Sequence, residues 1–509
     1  MALQLSYRLL GRQLSTGQAT RVGRRRLSLL RERALVAGQW TVAADGATFD
    51  VINPATDDVI ASVPDLGEAD AARAVAAAAE AQRSWGQTAP RRRSQLLQAY
   101  FRLLEEHGEQ LAALLTAEQG KPLAEARAEV AYGAGYIEWF AGEARRIHGE
   151  VVDGAAPHKE TLMIRQPAGV AALITPWNFP IAMLLRKLGA ALACGCAAVA
   201  KPAEDTPLSA LALAALAERA GLPPGVLSVL TASRARTPEV GAALCRDPRV
   251  AVLSFTGSTA VGKLLYAQCA STVKKLSLEL GGNSPFIVFD SADLEKAVAG
   301  CMASKFRNSG QTCISTNRIL VQAGVYDRFV AALGSVMASR LTAGDGAADG
   351  VNLGPLVNNA QLEKVSGLVS ESVRQGARQV WPRPGSAAPE GRFYPPTLLT
   401  EVTPDMACFR EEVFGPVAAC ARFETEEEAL AIANSSDMGL AGYIFTENIA
   451  QAWRVSRALE CGMVGVNEGL ISQPEAAFGG VKLSGLGREG GHYSVEDYTE
   501  VKYICFGTK

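Results

Sequence analysis

The run Gly169-Val170-Ala171-Ala172-Leu173-Ile174-Thr175 constrains this chain most. With no charged side chain on either face, it reads as a buried strand, and it passes directly into Pro176-Trp177-Asn178-Phe179-Pro180. Two prolines fix the backbone there and hold the turn rigid. Rigid turns at strand ends are where α/β proteins place functional side chains. An amide such as Asn178 can donate to a developing oxyanion without adding charge, or it can simply close the turn.

A second stretch, Ser304-Lys305-Phe306-Arg307-Asn308-Ser309-Gly310-Gln311-Thr312-Cys313, offers a cysteine in a small, polar, flexible setting. A thiol works as a nucleophile only as its thiolate, which nearby amides, cations or a helix N-terminus favour. Buried core is the alternative for a lone cysteine. Upstream, Leu278-Glu279-Leu280-Gly281-Gly282-Asn283-Ser284-Pro285 sets one acid between apolar residues before a break, where a partly desolvated carboxylate can act as a general base near neutral pH.

Together these stretches resemble the active-site signatures of the aldehyde dehydrogenase superfamily, and the resemblance runs from about residue 37 to the C-terminus. It implies an α/β protein with a Rossmann-type NAD-binding domain (34–148 and 168–281) and a second α/β catalytic domain (282–484). Small oligomerisation elements (149–167 and 485–509) complete it and imply a homotetramer. It also implies roles: Cys313 as nucleophile, Asn178 as oxyanion donor, and Glu279 as the base that activates water. The acid at 279 argues against the branch that passes the acyl group to coenzyme A.

The cofactor residues rest partly on local pattern. Ala197-Ala198-Val199-Ala200-Lys201-Pro202-Ala203-Glu204 is a strand followed by an amine and an acid. By resemblance Lys201 and Glu204 hold the adenosine ribose, and the acid would repel a 2′-phosphate, which favours NAD over NADP. By pattern alone they are equally two solvated charges. Val250 to Lys263 reads as strand, glycine turn and helix, whose N-terminus can bind a pyrophosphate. The spacing departs from the G-x-G-x-x-G fingerprint, but Phe255-Thr256-Gly257-Ser258-Thr259-Ala260-Val261-Gly262 matches the family's own pattern. That match assigns Gly257, Ser258 and Gly262 to the cofactor, beside Thr175 and Trp177. Arg410-Glu411-Glu412-Val413-Phe414-Gly415-Pro416 matches the segment whose second acid and phenylalanine, Glu412 and Phe414, flank the nicotinamide ribose. Without the family it is a charge pair before a turn.

Substrate choice is read from cations near the nucleophile. Arg186 follows the proline turn and Arg307 precedes Cys313. A guanidinium pairs bidentately with a carboxylate, and with Ser472 the two resemble the clamp of family members acting on a small aldehyde that carries a carboxylate. Three alternatives stand: arginines in ordinary ion pairs, an aldehyde one carbon longer, and an idle structural protein on this scaffold. Animal relatives often carry a second cysteine two residues after the nucleophile, able to form a reversible disulfide. Here that position is Ser315, so the switch should be missing.

Composition narrows the rest. With 48% hydrophobic and 20% charged residues and a net charge of −2, nothing calls for a nucleic acid partner or a disordered chain. The ten cysteines lack paired spacing, which fits a reducing compartment. With four histidines and only Cys194-Gly195-Cys196 as a close pair, no metal site is expected and these two read as helix core. The apolar stretch 188–200 is shorter than the roughly 20 residues a membrane span needs, so no membrane association is expected. Residues 1–33 carry eight arginines against one acid, the composition of a transit peptide, which points to the mitochondrial matrix. An arginine-rich tail on a cytoplasmic enzyme is the alternative. Helical periodicity fills 68–149, and Val151 to Val170 alternates around Asp153-Gly154 as a protruding hairpin or surface flap.

Overall fold

A computed structural model describes residues 29–153, 156–382 and 390–507. Most of the arginine-rich stretch, residues 1–28, lies outside the described residues, as does Gly154 of the expected hairpin turn.

Two sheets carry the molecule. The first has eight strands, in spatial order Gln39–Thr41, Ala34–Val36, Leu227–Val229, Ala198–Lys201, Val170–Ile174, Val250–Thr256, Lys275–Glu279 and Gly485–Leu486. The five from 227–229 to 275–279 run parallel. Every residue of Val170–Ile174 is buried, because helices cover both faces of a parallel sheet. The helix-rich segment supplies part of that cover with Glu68–Trp85, Pro90–Glu106, Gly108–Gln119 and Leu123–Glu143. Leu96, Leu97, Tyr100 and Leu104 point into one core with the fully buried helix Pro180–Cys194.

The second sheet orders seven strands as Arg378–Trp381, Thr397–Thr400, Val417–Phe423, Thr316–Gln322, Ser284–Val288, Ala441–Phe445 and Met463–Val466, parallel except at the 378–381 edge. Helices begin where the sequence supplies caps. Asp293 accepts from the Lys296 N–H, Thr425 from Glu428 and Asn358 from Gln361.

A third, small sheet stands apart from both. Lys159–Pro167 pairs antiparallel with Glu150–Asp153 on one side and with Thr499–Gly507 on the other. The C-terminal part of this sheet begins at Thr499 rather than at 485. Gly485–Leu486 instead extends the first sheet beside Leu278 and Glu279, and the helix Ser494–Tyr498 contacts the helix Pro180–Cys194. The cysteine pair also differs from its reading as helix core: Cys194 closes the helix, Gly195 turns it off at φ 88°, and Cys196 lies beyond. Both thiols are buried.

Strand register positions the site. Ile174 lies beside Lys201 and beside Phe255, and Thr256 beside Glu279. The turns carrying Asn178, Glu204, Ser258 and the 280–283 break therefore leave the first sheet along one edge, the carboxyl edge where parallel sheets bind ligands. From the second sheet, Thr316 starts its strand just after Cys313, level with Ser284.

Candidate active site

Cys313 lies in a turn closed by the Ser315 N–H donating to the Thr312 carbonyl at 2.9 Å. The preceding loop is unusual: Asn308, Ser309 and Gly310 all have positive φ, at 52°, 56° and 73°. At Gly310 a Cβ would stand 2.1 Å from the Gly415 carbonyl oxygen, so only glycine fits. Asn308 is held there by its N–H, which donates to both oxygens of Glu125 at 3.1 and 2.9 Å. Its side chain donates to the Asn178 carbonyl at 2.9 Å, while the Asn178 side chain donates to the Gln311 carbonyl at 3.1 Å. The proline turn and the cysteine loop are thereby tied together.

Both face a cleft of about 230 Å³. Trp177, Asn178, Gly257, Ser258, Cys313, Glu412 and Phe414 all line it, together with Gln361 and Lys364 from the helix Asn359–Arg374. Trp177 and Phe414 meet edge to face with centroids 5.5 Å apart. Phe414 has φ 57°, a strained conformation for a bulky residue. Gln361 steadies it by donating to its carbonyl at 2.8 Å. Glu412 accepts from the Gly282 N–H at 3.0 Å, and burial pushes its carboxyl up to about 7. Asn317 fixes this segment, donating to Glu411 and Cys408 carbonyls and accepting from the Val413 N–H.

Lys201 and Glu204 do not line this cleft. They stand at the neighbouring strand end, 3.7 Å apart, with the lysine 3% and the glutamate 28% exposed, so Lys201 is no solvated surface charge. Ser258 caps the helix Thr259–Cys269 by accepting from the Val261 N–H, leaving that N-terminus toward the cleft. Gly262 lies under Leu280, whose Cδ2 would be 2.3 Å from a Cβ there, and Thr175 is buried beside Lys201, whose carbonyl accepts its N–H.

The acid–base groups differ from expectation. Cys313 was expected with a lowered pKa; instead burial pushes its thiol up to about 12, against the pull of Arg186 and Arg307 and with the push of Glu279 and Glu412. Glu279 is 1% exposed rather than partly desolvated, and among the described residues neither of its oxygens has a hydrogen-bond partner. Burial first, and the nearby Glu489 charge second, raise its pKa well above the usual carboxylate range. Its Oε1 lies against Gly479, 2.8 Å from where a Cβ would be.

Arg186 is fully buried and paired through Nε with Glu489 at 2.5 Å, in addition to a contact with the Met183 sulfur and a position 4.2 Å from the Phe478 ring. Lys187 pairs with the same carboxylate and donates to Ser254 at 3.0 Å. Burial alone would raise Glu489, yet the two cations outweigh it and hold its carboxyl below the ordinary range. Arg307 is half-buried, 5.0 Å from the Phe179 ring, and with Leu470 lines a separate, broad cleft of about 1040 Å³ that Cys313 does not line. Ser472 is half-buried in the same loop as Leu470. Glu489, Lys187, Gln361 and Lys364 had no sequence reading. Glu489 follows the glycine-rich stretch 479–487 with no neighbour in sequence to reveal its partners, and the other three look like ordinary helix residues.

A family model described as "Aldehyde dehydrogenase family" matches residues 40–504. The chain belongs to the aldehyde dehydrogenase family. Among relatives, it is 52% identical over 481 residues to the mitochondrial succinate-semialdehyde dehydrogenase of Rattus norvegicus, covering 94% of this chain and 91% of the relative. It is 50% identical to the 3-sulfolactaldehyde dehydrogenase of Pseudomonas putida, covering 94% and 98%. Among solved structures, an NADP-dependent enzyme of E. coli superposes with a TM-score of 0.92 at 49% identity, covering 94% of this chain and 99% of the other. Betaine aldehyde dehydrogenase of Staphylococcus aureus, in complex with NAD+, superposes with a TM-score of 0.92 at 35% identity, covering 96% of each. As an aldehyde dehydrogenase, the chain is an oxidoreductase of mixed α/β fold.

Two outcomes follow from the thiol. With its pKa near 12, alkylation of Cys313 by iodoacetamide in the free enzyme should rise about tenfold per pH unit from 7 to 10. A plateau near neutral pH would show a preformed thiolate instead. Ser315 donates to the Lys305 carbonyl at 3.3 Å and Cys301 is buried, so mild peroxide should inactivate slowly and without an internal disulfide. Fast inactivation reversed by dithiothreitol, with a disulfide in the mass spectrum, would contradict this.

Proposed function

We propose that this aldehyde dehydrogenase oxidises succinate semialdehyde to succinate with NAD, the closing step of 4-aminobutyrate degradation. The observation that carries the reading is the gathering of Cys313 and Asn178 in one cleft with Trp177, Gly257, Ser258, Glu412 and Phe414.

The residues fit a dinucleotide. A Cβ at Gly281 would stand 3.1 Å from Glu412 Oε2, so the glycine keeps that end of the cleft open. The capped helix at Ser258 offers N–H groups to a pyrophosphate. Glu412 in the cleft, and Glu204 beside Lys201 at the neighbouring strand end outside it, would accept from ribose hydroxyls, with Trp177 and Phe414 as walls of the cleft. Thr175 and Gly262 support these turns from beneath. When bound, NAD supplies the hydride acceptor. Glu204 favours NAD over the 2′-phosphate of NADP, although the E. coli neighbour is described as NADP-dependent, so both cofactors belong in the assay.

Cys313, once deprotonated, adds to the aldehyde carbon. The resulting oxyanion takes a hydrogen bond from Asn178 and a backbone N–H, an interaction of a kind worth about 3 to 4 kcal/mol. Loss of hydride from that carbon leaves a thioester on Cys313. Glu279 then takes a proton from water, whose oxygen attacks the thioester carbon, releasing the acid and the thiol. Because its pKa is raised, Glu279 must ionise to act, and hydrolysis should quicken as pH rises. Arg307 and Ser472 would hold the distal carboxylate. Arg186, ion-paired with Glu489, would contribute through Nη1, which like Nε has no hydrogen-bond partner among the described residues.

We assign the enzyme to the mitochondrial matrix on the arginine-rich N-terminal stretch and on its mitochondrial relatives. We infer a homotetramer joined through the small sheet of 150–153, 159–167 and 499–507, whose Val151, Val501, Tyr503 and Phe506 are exposed.

Cys313→Ala should abolish NADH formation while NAD still binds, as measured by fluorescence titration. Retained turnover would move the nucleophile elsewhere. Glu279→Gln should keep the first NADH burst and lose steady turnover, together with its rise with pH; loss of the burst would contradict the assignment. Arg307→Gln should raise KM for succinate semialdehyde about ten- to a hundredfold, as expected for a charged hydrogen bond, with little change for butanal. Equal loss on both aldehydes would refute the clamp. A guanidinium also pairs with sulfonate, so glutarate semialdehyde and 3-sulfolactaldehyde belong in the same panel.

A further inference from the structure

The peptide group between Asn178 and Phe179 is fixed at both of its polar atoms. Its carbonyl oxygen accepts from the Lys121 ammonium at 2.8 Å and from Asn308 Nδ2 at 2.9 Å. Its N–H, on Phe179, donates to Asn178 Oδ1 at 3.1 Å, which leaves Nδ2 aimed at the cysteine loop, where it meets the Gln311 carbonyl. A flip of this peptide would exchange oxygen and N–H. Lys121 and Asn308 would lose their acceptor, and Asn178 would lose the anchor that directs its amide.

Lys121 is built into place for this. Its side chain and that of Glu129 are both fully buried and ion-paired, and the ammonium lies 3.9 Å from the centre of the Phe179 ring. The other oxygen of Glu129 accepts from the N–H groups of Ile181 and Ala182 at 2.9 and 3.3 Å. These belong to the first turn of the helix Pro180–Cys194, whose N–H groups have no acceptor within the helix. A buried ion pair is a weak source of stability, because desolvation offsets most of the attraction. Placing both charges against this one turn suits an orienting role better. Neither residue lines the cleft that holds Cys313, so neither touches the reacting atoms.

We propose that Lys121 and Glu129 are positioning residues, locking the 178–179 peptide and the helix turn after it so that the Asn178 amide faces the oxyanion. The proposal rests on the reading of Asn178 as oxyanion donor. A double-mutant cycle on the NADH burst, with saturating NAD and succinate semialdehyde, tests both. Lys121→Met should slow the burst about ten- to a hundredfold, the scale of a small misplacement at a reacting centre. KM for the aldehyde and affinity for NAD should stay within about threefold on the same argument. In an Asn178→Ala background the same change should add less than about threefold, because the donor it orients is gone. Multiplying losses in the double variant, or an unchanged burst in Lys121→Met, would overturn the proposal. An intact burst in Asn178→Ala alone would instead remove the oxyanion reading, and the proposal with it. Because Lys121→Met strands Glu129 in the interior, the paired variant Lys121→Met with Glu129→Gln carries the same comparisons if the single variant does not fold.

Discussion

The structure turns on a tie between two segments far apart in sequence: the Asn178 carbonyl and amide on one side, and Asn308 and Gln311 on the other. Each partner is buried, so each bond left unmade would cost about 1 to 3 kcal/mol. The rigid proline turn supplies one half. The other is a loop with three successive positive φ values, which persists because Glu125, Asn178 and the close Gly415 carbonyl over-determine it. Through this tie a turn of the first sheet and the cysteine loop ahead of the second are brought to one cleft.

Charge in this interior is distributed so that two carboxylates adopt opposite states. Glu489 faces Arg186 and Lys187 directly and stays ionised, while Glu279 is buried without a partner and resists ionising. The same contrast holds Cys313 as a thiol in the free protein, since burial and two acids outweigh two arginines. In the roles proposed for them, each group must lose its own proton before it acts, Cys313 to attack an aldehyde carbon and Glu279 to take a proton from water.

The buried strand at 170–174, the proline turn and the strand, glycine turn and helix of 250–263 were legible from local pattern, because an all-apolar run, fixed φ and a glycine break are properties of a few neighbouring residues. Glu279 and Asn178 could be singled out as candidates because each sits where an apolar run breaks, and Cys313 because a thiol stands at the end of a small, polar stretch. Gln361 and Lys364 could not, since nothing in the helix Asn359–Arg374 marks the face that meets the cleft. Nor could the joining of Gly485–Leu486 to the first sheet, a two-residue pairing set wholly by distant neighbours.

The sequence by itself determined which residues could do chemistry and that they lie on turns at strand ends. Only the tertiary structure decided their protonation and their partners. Arg186, read as a free cation for a substrate, proved to be half of a buried pair with a glutamate some 300 positions away, and Cys313, read as an activated thiolate, proved to be a thiol. Residue type and spacing fix what a side chain can donate or accept, whereas burial and the charges around it, which set the cost of ionising it, arise only when distant segments meet.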